Sequence, residues 1–481
     1  MSFIKKDLFL KAILCPRFAW LMKTGQVPNE MTIGEQFIVE QGKQIGEKAR
    51  ELYPNGVLVD ETNHNSATMT TQGLLNKLNV ATIFEGSFSV GNFLTKADIL
   101  RRQHDDDWQL IEVKSSVRDK AEFIDDMAYT TMVIQHSGLN VSNISLMLLS
   151  RDFRNGMESE DLFVQTDHTD GVLNRVEAFE LRWEEIDELL GNEEPESELC
   201  FECRHCKVFN SCQGTGIENP IFDIPRLSES KFEILKELGL IRIEDIPIVL
   251  LLTENQKRVK DSVQSGGAFV GPNLRTILGS VSWPAFFLDF ETVMTAIPLY
   301  PDVAPYTQIP TQYSIHKYSE FGQFVTHLQY LVPDPRNDCR RELAERLILE
   351  LEEEGSIIVY GSFENTIITD LKEIFPELRA ELDSLLNRLV NLQAIIKNNF
   401  YHPDFHGSLS IKQVLPVLVP NMTYENLEIA DGLSAIAVFA YLALGRYQNL
   451  EVDSMRTRLL EYCKKDTDAE VKVYEKLVEY C

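Results

Sequence analysis

Apolar and polar residues alternate through Ala81–Val90 and Asn92–Leu100, and again through WQLIEVKSS at 108–116, after the polar turn HDDD at 104–107. A period of two over such lengths predicts three strands in an antiparallel meander. Ser228 predicts the cap of a helix ending at Gly239, and Thr253 with Gln256 forms a capping-box pattern for another. From Ser282 onward strand and helix patterns alternate: the apolar strand PAFFLDFET, the strand-to-helix run SIIVYGSFENTIITDL, and the helix LLEYCKKDTDAEVKVYEKL near the C-terminus. That alternation suits a separate α/β domain.

These patterns divide the 481 residues into a first domain at 1–214, a helical linker at 215–281 and a last domain at 282–481. The length is too great for one hydrophobic core. In the linker, the residues around ELGLIRIEDIP resemble a helix-hairpin-helix module. The acidic stretch WEEIDELLGNEEPESE at 183–198 reads as a solvated helix and loop.

A hydrophobic fraction of 44% and a charged fraction of 25% are those of a globular protein. The longest apolar runs, IPIVLLL at 246–252 and SAIAVFAYLALG at 434–445, are too short to span a bilayer. The amphipathic start MSFIKKDLFLKAILCPRFAWL lacks a secretory pattern, so the expectation is a cytoplasmic protein with no membrane association. The net charge of −28 argues against a broad basic surface and leaves room only for a local basic channel.

Glu112 and Lys114 are two residues apart on an expected strand and share a face, and the neighbouring strand can bring Asp98 beside them. Two carboxylates suit Mg2+ or Mn2+, with the Val113 carbonyl as a possible further ligand and the lysine polarising a water. An E-x-K triplet by itself is an ordinary strand pair roughly nine times in ten. In context, ADIL, a turn and WQLIEVKSS resemble the PD-(D/E)XK nucleases of the RecB-like branch. The resemblance implies a restriction-endonuclease-like fold and catalytic roles for Asp98, Glu112 and Lys114. Thr130 stands where that branch has a glutamine, and GEKAREL at 46–52 lacks its upstream histidine.

Eight cysteines in a reducing compartment are thiols or metal ligands rather than disulfides. Cys203, Cys206 and Cys212 have the spacing C-x2-C-x5-C, with Cys15 far upstream. This resembles the iron-sulfur nucleases of the RecB/AddB type and implies that the four hold a [4Fe-4S] cluster clipping the domain shut. Cys200, Cys203, Cys206 and Cys212 could instead bind Zn2+ without Cys15. Cys339, Cys463 and Cys481 look incidental.

In the last domain Asp289 and Glu291 share a strand face, Glu364 sits at a strand-to-helix turn, and Tyr462 and Asp466 lie four apart on one helix face. Four carboxylates and a tyrosine able to converge would hold two metals, one activating water and one stabilising the leaving oxygen, with Tyr462 orienting the water. Singly, each piece is commonplace. Together they resemble the DnaQ-like exonucleases of the DEDDy subgroup, which implies an RNase H-like fold and a 3′–5′ exonuclease-type site. Glu364 departs from that pattern, being one methylene longer than the usual Asp. The stretches YTQIPTQYSIHKY and YHPDFHGSLSIKQVLP further resemble a bacterial group of uncharacterised proteins that combines the two domains; there Gln312, His316 and Lys412 are candidate substrate contacts outside the catalytic set.

The expectation is a multidomain α/β, metal-dependent nuclease acting on nucleic acid, with DNA favoured over RNA by the resemblance. Two other classes fit the same residues: a non-catalytic nucleic-acid-binding scaffold with decayed sites, and a small-molecule phosphodiesterase.

Overall fold

The structure, a computed structural model, describes residues 3–481 apart from 29, 105, 106, 192, 249 and 426. Positions 105–106 of the HDDD turn, 192 of the acidic stretch and 249 of the first apolar run therefore lie outside the described residues. The chain is a mixed α/β protein of two compact units. One comprises Met1–Met31, Gln36–Gln213 and Thr295–Thr307; the other comprises Thr32–Glu35, Gly214–Met294 and Gln308–Cys481. The segment expected to be a separate linker thus belongs to the second unit, and a short piece of the expected last domain belongs to the first. Among the described residues, no helix is long and apolar enough to cross a membrane.

The first unit is built on a six-stranded sheet in the order β1-β2-β3-β4-β5-β6. The strands are β1 (Val57–Leu58), β2 (Thr82–Val90), β3 (Phe93–His104), β4 (Asp107–Val113), β5 (Asn140–Leu149) and β6 (Phe163–Asp167). Strands β2, β3 and β4 form the antiparallel meander that the alternation predicts, and β5 joins β4 in parallel. Such a parallel return needs a crossover; here it is the helix Glu122–His136, which buries Met127, Tyr129, Met132 and Val133 in the core. The buried Tyr129 hydroxyl donates to the carbonyls of Ile4, at 2.6 Å, and Leu94. That bond pins the N-terminal segment to the sheet just before the helix Lys6–Leu14 begins. The acidic stretch is only partly solvated: its helix Trp183–Gly191 turns Ile186 and Leu190 into the core.

In the second unit β7 (Phe269–Val270) pairs with β13 (Phe400–Tyr401) as a small ribbon. The main sheet contains β8 (Ala285–Val293), β9 (Ile309–Glu320), β10 (Gln323–Leu331), β11 (Ser356–Val359) and β12 (Leu389–Asn391), in the order β10-β9-β8-β11-β12. The three long strands are antiparallel neighbours, whereas β11 and β12 run parallel to β8. The 31-residue helix Asn449–Glu479 lies against β8 and β9, anchored where the Thr467 hydroxyl meets Ser314 at 2.7 Å and His316 at 2.8 Å. Gly355, with φ +93°, opens the approach to β11; a Cβ there would sit 1.8 Å from the Pro284 carbonyl oxygen.

The helix-hairpin-helix expectation does not hold among the described residues. Glu229–Glu237 is a helix capped by Ser228 and turned by Gly239 at φ +69°, but its expected partner is one 3-10 turn, Ile243–Asp245. Pro247 disfavours helical geometry at Ile246 and has no N–H to continue the turn.

Candidate functional site

Two groups of acidic side chains come together, one in each unit. In the first, Ile99 pairs with Ile111 across β3 and β4, so the next pair on the same antiparallel ladder places Asp98 beside Glu112. Asp98 accepts a hydrogen bond from the Val113 backbone N–H at 2.8 Å. Lys114 follows β4 and reaches back to donate to Glu112 at 2.9 Å, and it also donates to Asp126 on the crossover helix. The three residues singled out in the sequence do converge.

Lys6 completes this group and was not legible in the sequence. Its ammonium donates to Glu112 at 2.8 Å from 106 positions away. Burial of Glu112 opposes ionisation, but the charges of Lys6 and Lys114 override it and hold the carboxyl well below its usual range. Burial, and then the Glu112 charge, push Asp98 the other way. One carboxylate is therefore ionised and paired, and its neighbour is poised to hold a proton. Thr130 lies wholly inside the core and accepts from the Thr95 hydroxyl at 3.2 Å, so it takes no part in this cleft.

In the second unit Asp289 and Glu291 project from the same face of β8, and the long helix brings Asp466 across from them. Each of the three offers an oxygen within 4.8 Å of the others. Glu364 lies in the first turn of the helix Phe363–Ile374, where backbone N–H groups favour a carboxylate. It is 2% exposed, and one of its oxygens has no hydrogen-bond partner. Burial pushes all four carboxyls up, and repulsion from neighbouring carboxylates adds to it at Asp289, Glu291 and Glu364: Asp289 and Glu291 stand well above their usual range, Glu364 at about 7 and Asp466 at about 6. This is the electrostatic signature of a site short of positive charge.

Tyr462 and Asp466 share a helix face, and the Tyr462 phenol is a hydrogen-bonding neighbour of that carboxylate. Tyr424, which sequence reasoning missed, makes the tighter bond, donating to Asp466 at 2.6 Å. The Lys412 ammonium rests over both rings, 5.4 Å from the Tyr424 centroid and 5.2 Å from that of Tyr462, and its charge favours the ionised forms of Glu291 and Asp466. Cys463 faces Asp289 Oδ2 at 3.5 Å. Gln312 and His316 are core residues instead: Gln312 donates to the Leu459 carbonyl, and His316 meets Thr467.

Among the cysteines, Cys15 hydrogen-bonds Cys200, and the Cys200 sulfur lies 3.4 Å from that of Cys203. Cys206 is close enough to feel the charges of both Cys15 and Cys212. Sequence positions almost two hundred residues apart thus meet. Tetrahedral zinc with bonds of about 2.3 Å requires sulfurs about 3.8 Å apart. Among the described residues, no three cysteine sulfurs lie within 4.8 Å of one another. The four-cysteine zinc tetrahedron is therefore not preformed, and Cys200, which the iron-sulfur set leaves out, is the direct neighbour of Cys15.

Residues 286–410 match the family model described as a domain of unknown function, DUF2779. That stretch contains Asp289, Glu291 and Glu364 but stops short of Lys412, Tyr462 and Asp466. The chain is also similar to an uncharacterized protein of Mycoplasma genitalium, MG366, at 23% identity over 230 residues, which take in 43% of this chain and 34% of that protein. The match thus spans about a third of that relative's length.

Proposed function

We propose that the chain is a metal-dependent nuclease, with its principal hydrolytic centre at Asp289, Glu291, Glu364 and Asp466 and a second centre at Asp98, Glu112 and Lys114. The observation that carries this reading is the convergence of Asp289, Glu291 and Asp466 to within 4.8 Å, with an unpartnered Glu364 oxygen close by. Carboxylates so placed repel one another at neutral pH, and the donor set is all oxygen, as Mg2+ and Mn2+ prefer. A divalent cation held there supplies an activated water and neutralises charge developing on a phosphodiester.

The chain's own groups do the positioning. Asp466 is fixed by the hydrogen bond from Tyr424. Tyr462 stands beside it as the phenol that orients water. Lys412, seated over both rings, offers a positive charge to a phosphate oxygen. The sheet order, with two antiparallel neighbours on one side of β8 and two parallel strands on the other, supports the RNase H-like reading. In the first unit, the Asp98, Glu112 and Lys114 cluster supports the PD-(D/E)XK reading. The thiols at 15, 203, 206 and 212 are the residues that would hold an iron-sulfur cluster, whose role would be to tie the N-terminal segment to the end of the domain.

The test is hydrolysis of end-labelled single-stranded DNA and RNA in Mn2+ by anaerobically purified protein, comparing the wild type with Lys114→Ala, Asp289→Ala and the double variant. Loss with Asp289→Ala supports the proposed principal centre. Loss with Lys114→Ala alone moves the chemistry to the first unit, and an inactive wild type supports the scaffold alternative.

A further inference from the structure

In the second unit, away from the acidic cluster, a cavity of about 920 Å³ opens between the N-termini of the helices Glu229–Glu237 and Glu254–Ser265 and the segments around 393–401 and 407–410. Arg226, Lys231, Arg258 and Lys397 line it. Among the described residues none of the four is ion-paired. Lys231 donates to the neutral Gln256 side chain at 2.7 Å, and Arg258 to the Lys397 carbonyl at 2.6 Å and to Asn255. The one carboxylate in the lining, Glu254, bonds Lys257 at 2.8 Å and lies within electrostatic reach of Arg258. In a chain of net charge −28, four cations against one carboxylate around one cavity form a local reversal of sign.

The walls are fixed in place. Gln256, 3% exposed, joins both helices: it accepts from Lys231 and from the Thr253 N–H, and donates to the Pro225 carbonyl at 2.9 Å. The opposite wall turns at Gly407, where a Cβ would lie 2.1 Å from the Asp223 carbonyl oxygen. The cap residues Ser228 and Thr253 both line the cavity, so the positive ends of two helix dipoles add to the four side chains.

The cavity also shares a chain segment with the acidic centre. Ser410 lies in its lining, and Lys412 two residues on belongs to that centre, at most about 7.6 Å away along the chain. Leu409 between the two walls is held through its carbonyl by Gln393 at 3.1 Å and by the Tyr360 hydroxyl at 2.9 Å.

We propose that this groove binds the phosphodiester backbone of a single-stranded polynucleotide, Arg226, Lys231, Arg258 and Lys397 contacting phosphates of the strand whose end lies at Lys412. The strand's destination rests on the nuclease reading; the phosphate contacts do not. Several separated cations suit a chain of phosphates rather than a single one, and among the described lining residues the aromatics Phe400 and Tyr401 are buried rather than presented for reading bases.

The test is fluorescence anisotropy of fluorescein-labelled dT20 and U20 in EDTA, where no hydrolysis intervenes, across a series of salt concentrations. Replacing Lys231, Arg258 and Lys397 together by glutamate should weaken binding by at least about tenfold and reduce the slope of log K against log salt by about 2, at roughly 0.7 per phosphate contact on a single strand. Arg226→Gln with Lys397→Gln changes two exposed side chains; it should reduce the slope by about 1.4 and decides the matter if the triple variant does not fold. Unchanged affinity and slope in these variants overturn the proposal. If the wild type hydrolyses oligonucleotides, and Asp466→Asn does not, while the groove variants bind normally, the groove alone falls. If no hydrolysis is found but the groove variants still lose binding, the nuclease reading falls and the groove stands.

Discussion

In the first unit the buried Glu112 faces two ammonium groups, Lys6 at 2.8 Å and Lys114 at 2.9 Å; in the second, Asp289, Glu291 and Asp466 face one another within 4.8 Å, with Glu364 behind them. The residue types are nearly the same, but the charge balance is opposite. One cluster carries its own counter-charge and is stable with its carboxylate ionised. The other lowers its self-repulsion only by taking up protons or a cation, since Lys412 alone cannot offset four carboxyls. Demand for metal should therefore be acute in the second unit and mild in the first.

The largest effect that can break this comparison is on hydrolysis. Asp466→Asn removes one of the three convergent oxygens and should lower Mn2+-dependent cleavage of single-stranded DNA by about 10³-fold, the equivalent of several kcal/mol of charge stabilisation. An initial-rate assay at saturating Mn2+ measures it. Activity within a few-fold of wild type would assign the chemistry to the first unit.

Stability against pH comes next, because the paired Glu112 of the first unit and the crowded carboxyls of the second should respond with opposite signs, with Asp98, raised to about 8, following the second unit. Glu364 and Asp466 have folded-state pKa values raised to about 7 and about 6, from ordinary values of 4.5 and 3.8. Their contribution is thus fully present below about pH 4 and is lost as pH rises through 6 and 7, on the order of 3 kcal/mol for each group. Glu112 is depressed to about 2 from 4.5, so its contribution is present above about pH 4.5 and lost as pH falls toward 2. In EDTA, Tm should fall between pH 4 and 7, and Mn2+ should restore it more at pH 7.5 than at pH 5. A calorimetric profile that is flat across that range, with or without Mn2+, would remove the contrast between the two sites.

A smaller change sharpens the same contrast from the other side. Lys6→Met keeps the aliphatic stem but takes away one of the two charges on Glu112, and its side chain is 32% exposed, so solvent screens part of the loss. The expected cost is about 1 kcal/mol, seen as an acid-unfolding midpoint that moves to higher pH. Asp289→Asn should do the reverse in EDTA, raising Tm at neutral pH by relieving repulsion.

Periodicity explains which of these residues could be read from the sequence. Asp289 and Glu291 are paired by the two-residue repeat of β8, Glu112 and Lys114 by the same repeat at the end of β4 and just past it, and Tyr462 and Asp466 by a helical turn, so each pair was legible within a few positions. The strand meander was legible for the same reason. Lys6 lies 106 positions from Glu112 and Tyr424 lies 42 from Asp466, distances over which no local repeat carries information. The groove cations are spread from Arg226 to Lys397 and become neighbours only through the packing of two capped helices. The apparent helix pair around Gly239 failed because Pro247 overrides the local apolar pattern, and Thr295–Thr307 joined the first unit because tertiary contacts, not chain order, set the boundary.

The smallest effect separates the roles of the two tyrosines on Asp466. Tyr424 donates to Asp466 at 2.6 Å, and that bond favours the ionised carboxylate against the burial that raises its pKa. Tyr424→Phe should let the Asp466 pKa rise further, so that hydrolysis falls about tenfold at pH 6 and only about threefold at pH 8, where the carboxylate ionises without help. Tyr462→Phe, which removes the phenol proposed to orient water, should instead lower the rate by a similar factor at both pH values. Full pH–rate profiles for the two variants distinguish these roles. If both shift the profile alike, the two phenols serve Asp466 as one unit and neither orients the nucleophile; if neither does, Asp466 is held in its ionised form by the metal alone.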